Sequence, residues 1–225
     1  MSWLLPPGNS TYAGDIDFLY YMILVITGIA FFVVEGGLVW FIIKYRRRPG
    51  RKAYYTHGNM TAEVVWTAIP TVTLVVIGIM SGSVWMDIRG RNSVPPGALE
   101  VGLIGKQFEW NATYPGADGQ LGTSDDFSTR NQLHVPVDQP VVVRLGTEDV
   151  IHSFFVPSLR VKQDALPGKT IDVWFEAMVP GRFEIACAEL CGLGHYRMRA
   201  ILTVHTAEEY VRWVQEQTAA AAAGE

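Results

Sequence analysis

At 225 residues the chain has room for a membrane anchor and one domain of ordinary size. With 49% hydrophobic and 18% charged residues it is apolar for a soluble protein and too polar for a pure membrane bundle. A formal net charge of −4 gives no footing for a general nucleic-acid binder, and no nucleic-acid partner is expected.

Residues 1–88 read as an N-terminal tail and a two-helix transmembrane hairpin, with helices over about 16–43 and 62–87. Phe18 to Val34 carries no charge, the apolar run resumes after Glu35 from Gly36 to Ile43, and Val64 to Met86 is again uncharged. Each run reaches the roughly 20 residues that a helix needs to cross hydrocarbon. The basic residues of this part, Lys44, Arg46, Arg47, Arg48, Arg51 and Lys52, all fall in the loop between the runs. Short loops rich in Lys and Arg stay cytoplasmic, so both termini are expected on the outer, periplasmic side of the plasma membrane. The opening MSWLLPPGNSTYAGDID lacks a basic n-region and does not resemble a cleaved signal peptide. Glu35 sits inside the first span, where a carboxylate is costly unless paired or protonated; it is expected to pack against a neighbouring subunit or to lie near the inner membrane surface.

Residues 89–98 read as a linker, because Pro95, Pro96 and Gly97 break any helix arriving from the membrane. From Arg89 onward the chain is exported and acidic, with 17 acidic and 12 basic residues. Residues 99–206 form an all-β sandwich or small barrel in this reading. TIDVWFEA alternates Ile171, Val173 and Phe175 with polar neighbours, and PVVVRLG, VIHSFFVP, RFEIAC and RAILTVH are short runs rich in β-branched and aromatic residues. Pro136, DQP, LPGK and VPGR supply the turns between them. Residues 111–131 read as a long solvated loop, with Asp118, Asp125 and Asp126 as an alternative acidic docking surface. Residues 207–225 are a C-terminal helix and a disordered tail. Thr206 and Glu209 form a capping box, Tyr210, Trp213 and Val214 an apolar face, and disorder is expected from Thr218. His57, His134 and His205 have no visible partner and read as structural.

The chemistry concentrates in CAELCGLGHYRM, residues 187–198, which holds both cysteines of the chain. A disulfide between residues four apart needs a tight bend and gives no role to His195 or Met198. Zinc would take two Cys and two His, with His152 completing the set, but has no use for a thioether. Thiolate, imidazole and thioether together are the donor set of electron-transfer copper, and two thiolates can bridge two coppers. The donor types favour copper over the other two.

The pattern Cys-x-Glu-x-Cys-x-x-x-His-x-x-Met resembles the dinuclear copper site, CuA, of cytochrome c oxidase subunit II. DVIHSFFVPSLRVKQDALPG resembles the segment around that family's first copper histidine. The resemblance covers most of the chain and implies a cupredoxin fold for the exported domain. It implies that Cys187 and Cys191 bridge both coppers, that His152 and His195 bind one copper each, that Met198 is a weak ligand to one, and that Glu189 offers its backbone carbonyl to the other. The Glu189 side chain would then reach a magnesium ion shared with the catalytic subunit, for which a hard oxygen ligand is suited.

Glu63 lies in a stretch similar to the family's Glu-x-x-Trp-Thr-x-x-Pro pattern, where the glutamate stands at a proton-channel entrance. GKQFEW, from Gly105, resembles the Gly-His-Gln-Trp-x-Trp patch that receives electrons from cytochrome c, with Lys106 and Phe108 as departures and Trp110 as the match. Phe108 and Trp110 are the expected electron-entry residues, and the departures point to a membrane-bound or complex-held cytochrome c-type donor. The resemblance as a whole implies the electron-entry subunit of a haem-copper terminal oxidase, in membrane lipid beside a catalytic subunit I and other membrane subunits, with no catalytic residue in this chain. The alternatives are a membrane-tethered copper-delivery protein and a quinol oxidase subunit II, which typically lacks the copper ligands.

Overall fold

The computed structural model describes residues 4–91 and 93–223. Residues 1–3 of the expected N-terminal tail, Asn92 of the expected linker, and Gly224 and Glu225 of the expected C-terminal tail lie outside them. The chain forms two compact units.

The first unit holds two long helices, α1 (Ala13–Tyr45) and α2 (Met60–Arg89). Asp15 in the first turn and Lys44 in the last complement the dipole of α1. Asn59 caps α2 by accepting the Ala62 N–H at 3.1 Å. At 33 and 30 residues, both exceed the roughly 20 needed to span hydrocarbon. No described residue of α2 is buried, and Phe32, Val33, Trp66 and Leu74 are each more than 60% exposed. Water does not tolerate an apolar surface of this extent, so lipid or companion helices must cover it.

The second unit is a β-sandwich of two five-stranded sheets. One contains β1 (Leu99–Lys106), β2 (Glu109–Tyr114), β3 (Phe127–Arg130), β5 (Pro140–Thr147) and β8 (Ile171–Glu176), ordered β3-β2-β1-β5-β8. The other contains β4 (Gln132–Pro136), β6 (His152–Val156), β7 (Val161–Ala165), β9 (Gly181–Cys187) and β10 (Arg199–His205), ordered β4-β10-β9-β6-β7. β1 pairs with β5, and β4 with β10, in parallel; the remaining ladders are antiparallel. Alternate residues of the strands, among them Val101, Leu103, Val143, Phe154, Phe175, Ile185 and Leu202, fill the core with at most 1% exposure.

Three features differ from the sequence-based expectation. Much of 111–131 is not loop: Asn111–Tyr114 pairs with Phe127–Arg130, because Ala112 and Tyr114 bury one face while Asn111 and Thr113 stay half-buried. The N-terminal tail belongs with the sandwich. Ser10 bridges to Ala177, and the buried Asn9 side chain accepts the Met178 and Val179 N–H groups at 3.1 and 2.7 Å and donates to the Val179 carbonyl at 2.9 Å. Helix α3 (Ala207–Ala223) continues through the stretch expected to be disordered from Thr218, since alanine is the strongest helix former. Its start carries the reciprocal capping box, Thr206 N–H to Glu209 at 3.0 Å and Glu209 N–H to Thr206 at 3.3 Å. Its Trp213 ring stacks on His134 at 4.3 Å between centroids, and His134 Nδ1 lies 2.8 Å from His205 Nε2, so these two histidines partner one another.

Candidate metal centre

His152 opens β6 and Cys187 closes β9, neighbouring strands registered at Phe154 opposite Cys187. The two donors therefore emerge at the same end of one sheet. The chain then loops from Ala188 to a single 3₁₀ turn, His195–Arg197, and enters β10 through Met198. The Cys187 N–H to Met198 carbonyl bond, 3.1 Å, closes that loop at its base. Two glycines inside it are required, one by backbone conformation and one by space. Gly192 has φ +132, and a Cβ on Gly194 would collide with the Phe108 ring.

All six expected ligands converge, in two halves. Around Cys187 Sγ lie His152 Nδ1 at 3.9 Å and the Glu189 carbonyl oxygen at 3.2 Å. Around Cys191 Sγ lie His195 Nδ1 and Met198 Sδ, each at 3.6 Å. The two sulfurs are 3.8 Å apart, far beyond the ~2.0 Å of a disulfide. Cys187, Cys191, Met198 and His152 are buried and His195 is half-buried. Soft donors spaced this way fit a pair of soft metal ions; a single tetrahedral zinc would leave two of the six unused. Burial first, and the neighbouring Cys187 second, push the Cys191 thiol up to about 11, so metal binding has to displace its proton.

A second layer supports these ligands. Asp149 Oδ1 lies 2.8 Å from His152 Nε2, and Asp149 Oδ2 accepts the Gln107 N–H at 2.8 Å. Gln107 Nε2 in turn donates to the Cys191 carbonyl at 2.6 Å. Asp149 has no role that the sequence reveals: it falls in the DVIH stretch, but nothing in its spacing shows that the chain bends it back onto the histidine.

The expected electron-entry pair separates. Trp110 is 1% exposed, its ring packed edge-on 6.0 Å from His152, so it is a buried support and not a surface contact. It alternates along β2 with outward-facing neighbours, which turns it into the core. Phe108 is half-buried and lines a surface cavity of about 320 Å³ with Leu193, Gly194, Tyr196 and Arg197. Lys106 is ion-paired with Glu148 at 3.3 Å. In the helical unit, Glu63 lies in the first turn of α2, exposed, with its carboxylate over Gly58, where a Cβ would come within 2.8 Å of it. Glu35 is exposed on α1, and the Glu189 side chain is exposed beside the metal centre.

Two apolar helices long enough to span a membrane, joined to a cupredoxin-like sandwich with soft-metal donors at one end, define a membrane-anchored metal-binding domain. The chain belongs to the cytochrome c oxidase subunit II family. Residues 1–84 match its transmembrane domain and residues 107–205 its periplasmic domain. The alternative cytochrome c oxidase subunit 2 of Bradyrhizobium diazoefficiens is 33% identical over 227 residues, covering 91% of this chain and 80% of that protein. Cytochrome c oxidase subunit 2 of Synechocystis sp. is 32% identical over 260 residues, covering 94% and 75%. The crystal structure of the periplasmic domain of subunit II of the Bradyrhizobium japonicum oxidase is 31% identical and covers 55% of this chain and 96% of that one, with a TM-score of 0.49. The protein is thus a subunit of cytochrome c oxidase, a haem-copper oxidoreductase, with its β domain on the outer side of the membrane.

Proposed function

We propose that this chain is the electron-entry subunit of its oxidase, taking electrons from a cytochrome c-type donor and passing them to haem in the catalytic subunit. The observation that carries this is the two-half arrangement of His152, Cys187 and the Glu189 carbonyl against Cys191, His195 and Met198. Those residues would hold a dinuclear copper centre of the CuA type. Such a pair, when bound, supplies one-electron transfer with the unpaired electron shared between two metals.

The protein's part is to keep the ligands still and dry. His152 is fully buried beneath Trp110, and Gly105 leaves the room for it, since a Cβ there would lie 3.0 Å from the imidazole. Ligands fixed on adjacent strands and on a loop closed at its base move little when charge changes, which keeps reorganisation low. The exposed Glu189 carboxylate is free to contribute to a magnesium site with the catalytic subunit, while its carbonyl serves the copper. Glu63, exposed on the first turn of α2, would gather protons on the cytoplasmic side, with the basic loop cytoplasmic and both termini outside.

The test is electron paramagnetic resonance of the purified oxidase. Hyperfine coupling to two equivalent copper nuclei supports the reading. A single-copper spectrum, or a silent site holding zinc, rejects it.

A further inference from the structure

We propose that the loop joining α1 to α2 is a binding site for the phosphate headgroup of an anionic phospholipid. The inference rests on the cytoplasmic placement of this loop in the proposed function.

Residues 46–59 connect the two spans, and Arg46, Arg47 and Arg48 follow directly on the last residue of α1. These guanidinium groups therefore stand where a spanning helix leaves hydrocarbon, at the level of lipid phosphates. From Lys44 to Asn59 there are six cations and no carboxylate. Among the described residues none of the six makes an ion pair; Arg51 donates to the Lys44 carbonyl at 3.2 Å, which leaves its charge uncompensated. The loop is also concave. Arg46, Arg47, Arg48, Arg51, Lys52 and Tyr54 line a cavity of about 610 Å³.

A cationic cavity of this kind needs an anion. The guanidinium fork matches two phosphate oxygens at once, and an ammonium adds a point charge. The rim identifies where the anion comes from. Tyr54 and Tyr55 are 93% and 78% exposed, a poor arrangement in water and a favourable one at a lipid interface. Trp40 lies one turn before the end of α1 with the Lys44 ammonium 4.1 Å from its ring, an aromatic and a cation paired where the span ends. Aromatic rings beside cations favour a phosphate carried on acyl chains over one free in solution.

The experiment uses the intact oxidase in detergent. It is incubated with mixed micelles of phosphatidylglycerol or phosphatidylcholine, passed through gel filtration, and assayed for retained lipid by mass spectrometry. Two sets of substitutions are compared with the parent: Arg51→Gln with Lys52→Gln, and Arg46→Lys, Arg47→Lys and Arg48→Lys together. The second set keeps the charge that orients the helices, so it stays informative if the first fails to insert.

Removing two cations should weaken retention of phosphatidylglycerol roughly twenty-five-fold, at about fivefold each. The lysine set should weaken it by a smaller factor, through loss of the forks. Phosphatidylcholine retention should not change, and millimolar inorganic phosphate should not displace the lipid. Equal retention by parent and variants overturns the proposal. So does displacement by inorganic phosphate, which would mark a soluble-anion site, or loss of companion subunits from the variants irrespective of lipid, which would mark a protein contact. The copper resonance signal should be unaltered in every variant, so this test and that of the electron-entry reading fail separately.

Discussion

Asp149 Oδ1 lies 2.8 Å from His152 Nε2, and this contact fixes which nitrogen of the buried imidazole faces the metal centre. With Nε2–H donated to the carboxylate, Nδ1 is left with its lone pair, 3.9 Å from Cys187 Sγ. Burial pushes the Asp149 carboxyl up, but hydrogen bonds from the Gln107 N–H, His152 and the Val150 N–H outweigh it and hold the group down at about 2. The imidazole is therefore paired with a full negative charge at neutral pH. Partners of this kind both orient a metal-bound histidine and raise its basicity.

Substituting Asp149→Asn keeps an acceptor and removes the charge. Copper should then be lost to a chelator about 10–100 times more readily, the usual cost of removing such a partner. The reduction potential of the centre should rise, because a less basic imidazole stabilises the oxidised metals less. Chelator titration and redox titration of the purified oxidase measure these two effects. Unchanged retention and potential would show that the contact is only structural.

Serine offers no soft thiolate, so if the proposed copper pair is held here Cys191→Ser should abolish its signal. Met198 and His195 both lie 3.6 Å from the Cys191 sulfur, so their shared anchor goes with it. The helices, which contribute nothing to this cluster, should still insert. Metal analysis and membrane fractionation read the two outcomes; full oxidase activity with one copper would contradict the assignment.

The cluster of donor side chains was legible in the sequence because donor type and spacing act together: Cys187, Cys191, His195 and Met198 fall within one loop, and chemistry alone narrows what could bind them. The membrane helices were legible because length and lack of charge suffice. What escaped was decided by partners distant in sequence. The tail at Asn9 finds its amide partners at Met178 and Val179, about 170 residues away. Trp110 reads as a surface aromatic until β2 is known to turn it inward. His134 and His205 lie 71 residues apart and meet only because β4 and β10 run side by side.

That histidine pair makes the docking of α3 sensitive to acid. His134 is lowered from 6.5 to about 4, by burial first, then by the charges of His205 and Arg182. His205 is also lowered by burial, with Glu209 opposing. Between about 4 and 6.5 the unfolded chain binds more protons than the folded one, so stability falls as pH drops through that window and is fully present above it. The contribution of His134 approaches about 3 kcal/mol. Thermal melts of the purified oxidase at pH 7.5 and pH 5 should diverge less for His134→Phe, whose ring can still stack on Trp213. An equal divergence in both proteins would rule the pair out as the acid-sensitive element.

Glu63→Gln removes the ionisable group of the proposed proton entry while leaving the capped start of α2 intact. Oxygen turnover should fall several-fold while reduction of copper by the donor stays fast. Stopped-flow reduction set against steady-state oxygen uptake separates the two, and equal slowing of both would reject a role in proton entry.

In the proposed reading, donor contact falls to Phe108. It is half-buried, it lines the cavity with Leu193, Tyr196 and Arg197, and its ring packs against Gly194 in the ligand loop. Leu193 and Tyr196 are 96% and 86% exposed, an apolar rim suited to an apolar haem edge. Phe108→Ala should therefore raise the KM for the donor by about tenfold with the copper signal unchanged, whereas Trp110→Ala should disturb the copper signal itself, since that ring packs on His152. Lys106 does not stand as a bare repulsive charge, because Glu148 lies 3.3 Å from it. A nearby cation that can repel a basic donor is Arg197, 5.8 Å from the Phe108 ring. Against it, the exported part of the chain is acidic overall and can steer a basic cytochrome from a distance. A mostly apolar contact with weak local charge favours a donor held by a stable partner at high effective concentration over one gathered from solution. Oxidation of a basic soluble cytochrome c by the isolated oxidase should then be slow and only weakly dependent on ionic strength. Fast oxidation that declines steeply with salt would mark ordinary soluble docking and remove the case for a tethered donor.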